Sequence, residues 1–198
     1  MTKYILVGGY ASKAGDGGKA FADELVAGFT EPVKLLDCMF ARDTSVWESS
    51  LADDVRFFAR CVPDTNIELR LAFPERFSQD ILWADILYFR GGSTSLLMEA
   101  LRKQGGWYER LEGKTIAGTS AGAYALSKYY FLQKLEGMVG EGFGLVPIKT
   151  VAHYRAKEYP HSIDWDLGDK VMGDFAPELE YVKLHEGEYR VFVETRKS

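Results

Sequence analysis

Ser120 stands between two glycines in Gly118-Thr-Ser-Ala-Gly122, with the apolar Thr115-Ile-Ala before it and Ala123-Tyr-Ala-Leu after it. A strand that turns sharply into a helix strains the residue at the turn, and small neighbours let the chain pass, so this pattern reads as a nucleophile elbow. The same five residue types also occur in plain glycine-rich turns; the flanking strand-like and helix-like runs favour the elbow. Ser120 then projects from the top of a sheet, and the Ala121 N–H points into the same space as an oxyanion donor. Arg90-Gly-Gly-Ser-Thr94 also lies between an apolar run and a helical stretch. Its glycines let backbone N–H groups approach a ligand and the helix start adds partial positive charge, while Ser93 or Thr94 serves equally as an N-cap.

A serine hydroxyl attacks only when a base takes its proton, and histidine is the usual base. The chain has His153, His161 and His185. His153 ends the apolar run Thr150-Val-Ala-His, which places it at the same sheet edge as Ser120, whereas His161 follows Pro160 in a polar loop. The acid that orients the base stays open among Glu186, Glu136, Asp164, Asp166 and Asp169, because most surface carboxylates are only solvated charge.

Other chemistries compete. An esterase of the α/β-hydrolase type runs in the order Ser, Asp, His, which here means Ser120, an aspartate near 164 to 174, and His185. Gly15-Asp-Gly-Gly-Lys-Ala20 fits a dinucleotide fingerprint with Asp37 as the ribose acid, but it starts too far after Val7, and Ala20 stands where a P-loop needs Ser or Thr. A non-catalytic binding domain would keep the elbow and show no serine reactivity. Cys, His and acidic residues nowhere fall at metal-ligand spacing, so neither metal nor other cofactor is expected.

A chain of 198 residues suits a single domain, 1–198, with one full core. A net charge of -5, with Lys and Arg scattered among acids, argues against nucleic acid or an anionic membrane surface as partner. Cys38 and Cys61 lie in apolar segments and read as buried thiols. The apolar run after Met1 is too short for a signal peptide, and no apolar stretch reaches the span of about 18 to 20 residues that a membrane helix needs. A cytoplasmic location is therefore expected, with monomer and homodimer both open.

Strands and helices alternate along the first part of the chain. Tyr4 to Val7, Val33 to Met39, Ile67 to Ala72, Ile86 to Phe89 and Thr115 to Thr119 read as strands. Between them Phe21, Leu25 and Phe29 recur at helical spacing, Trp47, Leu51, Val55 and Phe58 form one stripe, Pro74 to Leu82 reads as helical, and Leu97 and Leu101 line a helix with Glu99 and Lys103 paired outside. The pattern predicts an α/β fold with a mostly parallel sheet flanked by helices on both faces, and sites beyond its carboxyl edge. Further on, Tyr129 to Lys134 and Ile148 to Tyr154 read as extended and Ile163 to Met172 as helical. Tyr181 to Leu184 and Tyr189 to Val193 read as a hairpin around His185-Glu-Gly-Glu188.

The Gly-Thr-Ser-Ala-Gly-Ala elbow, Gly-Gly-Ser-Thr-x-x-Leu, the Gly144-Leu-Val-Pro-Ile run into Ala152-His153-Tyr and Leu184-His-Glu-Gly187 together resemble the peptidase E (aspartyl dipeptidase) and cyanophycinase family of serine peptidases. The resemblance implies a fold like class I glutamine amidotransferases, a flavodoxin-like three-layer sandwich. It makes Ser120 the nucleophile, His153 the base and Glu186 the acid, with Glu136 second, and Gly92 and Ala121 the oxyanion donors. It implies hydrolysis of a small peptide through an acyl-enzyme. Where the family has Gly-Gly-Gly-Asn-Thr this chain has Arg90-Gly-Gly-Ser-Thr, and after the histidine it has Arg155-Ala-Lys-Glu. Arg90 and Arg155 are therefore the candidates to bind an acidic substrate carboxylate.

Overall fold

The computed structural model describes residues 1–132, 139–157 and 163–194. The alternating runs form β1 (Thr2–Val7), α1 (Lys19–Val26), β2 (Val33–Cys38), α2 (Trp47–Cys61), β3 (Ile67–Leu71), α3 (Phe77–Trp83), β4 (Ile86–Phe89), α4 (Thr94–Lys103), β5 (Thr115–Thr119) and α5 (Ala121–Leu126). Pro74 opens a short 3-10 turn, Pro74–Arg76, ahead of α3. The first sheet has the order β10-β1-β5-β4-β2-β3, in which β10 (Tyr189–Glu194) is antiparallel to β1 and every other pairing is parallel.

Side chains on successive strand positions point to opposite faces, and both faces are covered. Ile5, Val7, Leu35, Ile86 and Tyr88 pack with Phe21 and Leu25 of α1 and Phe58 of α2. Leu6, Leu36, Leu87, Phe89 and Ile116 pack with Phe77 of α3, Leu97 of α4 and Trp107. This two-sided burial follows from crossover handedness. The chain moves one way across the sheet from β1 to β2 to β3 and back from β3 to β4 to β5, so right-handed connections place α1 and α2 on one face and α3 and α4 on the other.

The buried face of α2 differs from the expected stripe. Val55 is 51% exposed, and the inward positions are Trp47, Ser50, Asp54, Phe58 and Cys61. Polar partners turn the helix: Asp54 pairs with Arg90 at 2.9 Å, and Ser50 accepts from Arg42 at 2.8 Å. A reading that scored only apolar residues missed that face.

A second sheet, in the order β7-β6-β8-β9, comprises β6 (Ser127–Phe131), β7 (Val139–Glu141), β8 (Val146–Val151) and β9 (Tyr181–Lys183). The helix α6 (Trp165–Asp174) packs beside it, and the buried Lys149 donates to the carbonyls of Met172 and Phe175 at 2.6 and 2.7 Å, satisfying groups at the end of α6. The expected strand to Tyr154 stops at Val151, where the chain turns.

The tail is not a hairpin. β9 runs parallel to β8 in the second sheet, whereas β10 pairs with β1 in the first. His185-Glu-Gly-Glu188 is thus a crossing from one sheet to the other, and each strand finds a partner distant in sequence.

Close packing where β5 enters α5 depends on absent side chains. A Cβ on Gly122 would lie 2.2 Å from the Phe89 carbonyl oxygen, and one on Gly118 would lie 2.4 Å from the Gly122 carbonyl carbon. Backbone cannot yield cheaply, so Gly122→Ala is expected to cost about 2 kcal/mol, or about 4 to 8 °C in Tm, by thermal unfolding of the folded variant against wild type.

Candidate active site

Ser120 has φ 52 and ψ -105, a conformation that L residues adopt only when their surroundings impose it. Its N–H donates to the Val7 carbonyl at 3.0 Å and its own carbonyl accepts from Tyr124 N–H at 3.0 Å. The flanking glycines serve close approach of strand and helix, while the serine itself takes the positive φ. Ser120 leads directly into α5, so the Ala121 N–H is one of the helix-start donors that no preceding turn can satisfy.

The turn after β8 and the crossing from β9 to β10 bring two further side chains to it. His153 Nε2 lies 3.0 Å from Ser120 Oγ, and His153 Nδ1 lies 3.0 Å from Glu186 Oε1. His153 N–H donates to the Gly8 carbonyl at 2.7 Å, and Gly187 N–H donates to the Gly9 carbonyl at 2.8 Å, so both are fastened to the loop after β1. A Cβ on Gly9 would meet the His153 ring at 2.2 Å. The ring occupies the space that a side chain there would fill, with Tyr10 edge-on at 5.7 Å.

Lys13 completes this array: its Nζ is 2.8 Å from Glu186 Oε2. Nothing in Ala11-Ser-Lys-Ala signalled it, because a lone lysine carries no pattern. Burial pushes the His153 pKa below the ordinary 6.5, more than the Glu186 hydrogen bond and charge raise it, and the Lys13 charge lowers it further. Burial alone would raise the Glu186 carboxyl, but hydrogen bonds from Lys13 and His153 more than offset it and hold the group below the usual glutamate range. The ring is therefore neutral and the carboxylate charged near pH 7.

The Arg90-Gly-Gly-Ser loop faces Ser120 from β4. Gly92 has φ 154, and a Cβ there would fall 2.3 Å from the Ala41 carbonyl oxygen. Ser93 N–H donates to that same carbonyl at 2.8 Å, Arg42 Nε donates to the Gly91 carbonyl at 2.9 Å, and Ser93 Oγ caps α4. Neither Gly92 N–H nor Ala121 N–H has an acceptor among the described residues.

Arg90 lines the cleft but is held from behind. Its guanidinium pairs with Asp54 and donates to Tyr88 Oη at 3.0 Å, and Tyr88 Oη in turn meets Thr119 Oγ1 at 3.0 Å. Asp37, fully buried beside this group, has its pKa pushed well above the usual carboxylate range by burial and by the Asp54 charge. These contacts make Arg90 a brace for the loop; its charge is already engaged. Arg155 is turned away, with Asp166 at 3.0 Å and Tyr154 Oη at 3.0 Å, and does not line the cleft. Both guanidinium groups, expected from the sequence to meet a substrate carboxylate, are thus paired with carboxylates of the protein itself.

His185 is exposed, edge-on to Tyr154 at 5.3 Å, and is not brought to Ser120, which removes the geometry that the esterase order requires. Asp164 caps α6, Asp166 pairs with Arg155, and Asp169 binds Lys183 and accepts from Tyr154 and Tyr181. Glu136 and His161 lie outside the described residues. Asp16 accepts from the N–H groups of Gly18 and Ala20 at 2.9 and 2.7 Å, so the glycine-rich stretch is a capped helix start, and the buried Asp37 is out of reach of any ribose. Among the described residues no group of three or more His, Cys, Asp or Glu is placed to hold a metal, and no helix is long and apolar enough to cross a membrane.

Known structures share this architecture. A peptidase from an acI-B1 Actinobacterium superposes with a TM-score of 0.64 at 21% identity, covering 97% of this chain and 83% of that one. A candidate peptidase E protein from Listeria monocytogenes EGD-e gives 0.67 at 15% identity, with all of both chains covered. Comparison with curated protein sequences gives no match. The fold is the α/β, flavodoxin-like architecture of these peptidases. Residues 58–165 match the model of peptidase family S51, and the chain belongs to that family, the peptidase E family of serine peptidases.

With His153 in the role of base, the ring must be neutral to accept a proton, so activity should be full at pH 7 and fall as pH drops through a midpoint below 6.5. Lys13→Met removes a charge that lowers the His153 pKa, and the acid limb of kcat/KM should move to higher pH. A pH–rate profile of both proteins checks the sign; an unmoved or downward limb would contradict it.

Proposed function

We propose that this serine peptidase hydrolyses a small peptide through an acyl-enzyme formed on Ser120, with His153 as base and Glu186 as orienting acid. The observation that carries the reading is the unbroken relay from Ser120 Oγ through His153 to Glu186, each step 3.0 Å, at a strained strand-to-helix turn. His153 Nε2 takes the serine proton as Oγ attacks the peptide carbonyl. The oxygen that becomes negative lies against the N–H groups of Gly92 and Ala121, and Glu186 stabilises the imidazolium. The ring then gives its proton to the departing amine, and a water activated by the same ring releases the acyl group. Glu186 is preferred over Glu136 as the acid because of its contact with His153 Nδ1.

Covalent labelling by a fluorophosphonate tests the assignment. Ser120→Ala should abolish labelling, and His153→Ala should lower its rate about 10⁴-fold. Glu186→Gln should slow it while leaving the fold intact by circular dichroism. His185→Ala should label like wild type. Labelling lost with His185 and kept with a folded His153→Ala would sink the proposal.

A further inference from the structure

Ser120 lies on the wall shared by two clefts. One, of about 610 Å³, is also lined by His153, Gly9 and Tyr10, and its far wall is one face of α2 carrying Asp53, Arg56, Phe57 and Arg60. The other, of about 850 Å³, runs along α4 past Met98, Tyr124 and Tyr130 and does not touch His153. Chemistry assigns the sides, given the peptidase reading above on which this inference rests. The ring that takes the serine proton must hand it to the departing nitrogen, so the leaving group occupies the cleft that contains His153, and the acyl portion extends into the other.

The leaving-group cleft is cationic: its lining holds Arg42, Arg56, Arg60 and Arg90 against Asp53. Arg42 and Arg90 are engaged as described, and Arg56 pairs with Asp53 on the helix surface. Arg60 has the Gly17 carbonyl at 3.4 Å and the Phe57 ring at 5.6 Å, and no carboxylate partner among the described residues. Asp37 is fully buried and does not line this cleft. We infer that this cleft selects leaving groups that carry a carboxylate, with Arg60 and then Arg56 as the residues that meet it. The α-carboxylate of the second residue of a dipeptide supplies that group next to the departing nitrogen, and an acidic side chain supplies it further out. Arg60 and Arg56 are then the residues that set leaving-group preference.

The test compares Xaa-Ala, Xaa-Ala amide and Xaa-Asp amide across acyl residues. The free acid should be cleaved with kcat/KM about 10-fold above the amide, the difference falling on KM, as expected for a charge-assisted contact at a partly exposed site. In Arg56→Ala/Arg60→Ala, checked by thermal unfolding, that ratio should collapse toward one, and Arg60→Lys should restore most of it. Xaa-Asp amide matching Xaa-Ala would show that either carboxylate is read; Xaa-Ala alone would restrict it to the α-carboxylate, and both support the inference. A wild type that labels with fluorophosphonate yet cleaves acid and amide equally, or cleaves no Xaa-Ala, overturns it and leaves the peptidase reading standing. A ratio unchanged in the double variant overturns the assignment to α2. A wild type that never labels overturns the peptidase reading itself, and this inference with it.

Discussion

The site depends on a missing side chain. His153 can reach Ser120 only because residue 9 is glycine, its absent Cβ lying 2.2 Å from the ring. The same short loop accepts the N–H groups of His153 and Gly187 on neighbouring carbonyls, and Gly8 N–H donates to Glu188 at 2.9 Å. Residues from both sheets are thereby sewn to the carboxyl end of β1. Two chain segments that never meet in sequence are held in register by backbone bonds, which tolerate less wander than side chains on free loops.

Behind the loop that bears Gly92, polar groups are arranged with a different logic. Arg42 and Arg90 brace the loop from the sheet side, and Asp54 and Tyr88 engage Arg90 in turn. A guanidinium so deep would be unfavourable alone, and breaking such a pair usually costs several kcal/mol because the partner charge is stranded. The arrangement also explains why α2 presents Asp54 inward and leaves Val55 in solvent. Rigidity of the Gly92 loop is thus tied to the helix whose other face forms the arginine-lined wall.

Much of this was legible in the chain. The five parallel strands and the elbow followed from local apolar runs, two of them ended by Gly-Gly, because each such run buries its faces against its crossover helices. What could not be read was whatever depends on distant partners. Tyr181–Lys183 and Tyr189–Glu194 look like a hairpin locally and belong to different sheets. The α2 face was decided by Arg90 on another element, and Lys13 by a carboxylate far along the chain. The position of Arg90 beside the glycines is plain in the sequence, whereas its engagement with Asp54 depends on α2 folding against the sheet.

The late return of β10 to the first sheet bears on when the enzyme becomes active during its own synthesis. Because domains fold as the chain emerges, β1 to β5 and the Ser120 elbow are made while residues 153, 186 and 189 to 194 are still to come. The pairing of Thr2 with Glu194 joins the first strand to the last one described, a contact of very long sequence separation. A nascent or truncated chain therefore carries the Ser120 elbow before the histidine and glutamate that lie against it exist, and the proposed relay is assembled only after residues 153 and 186 have been made.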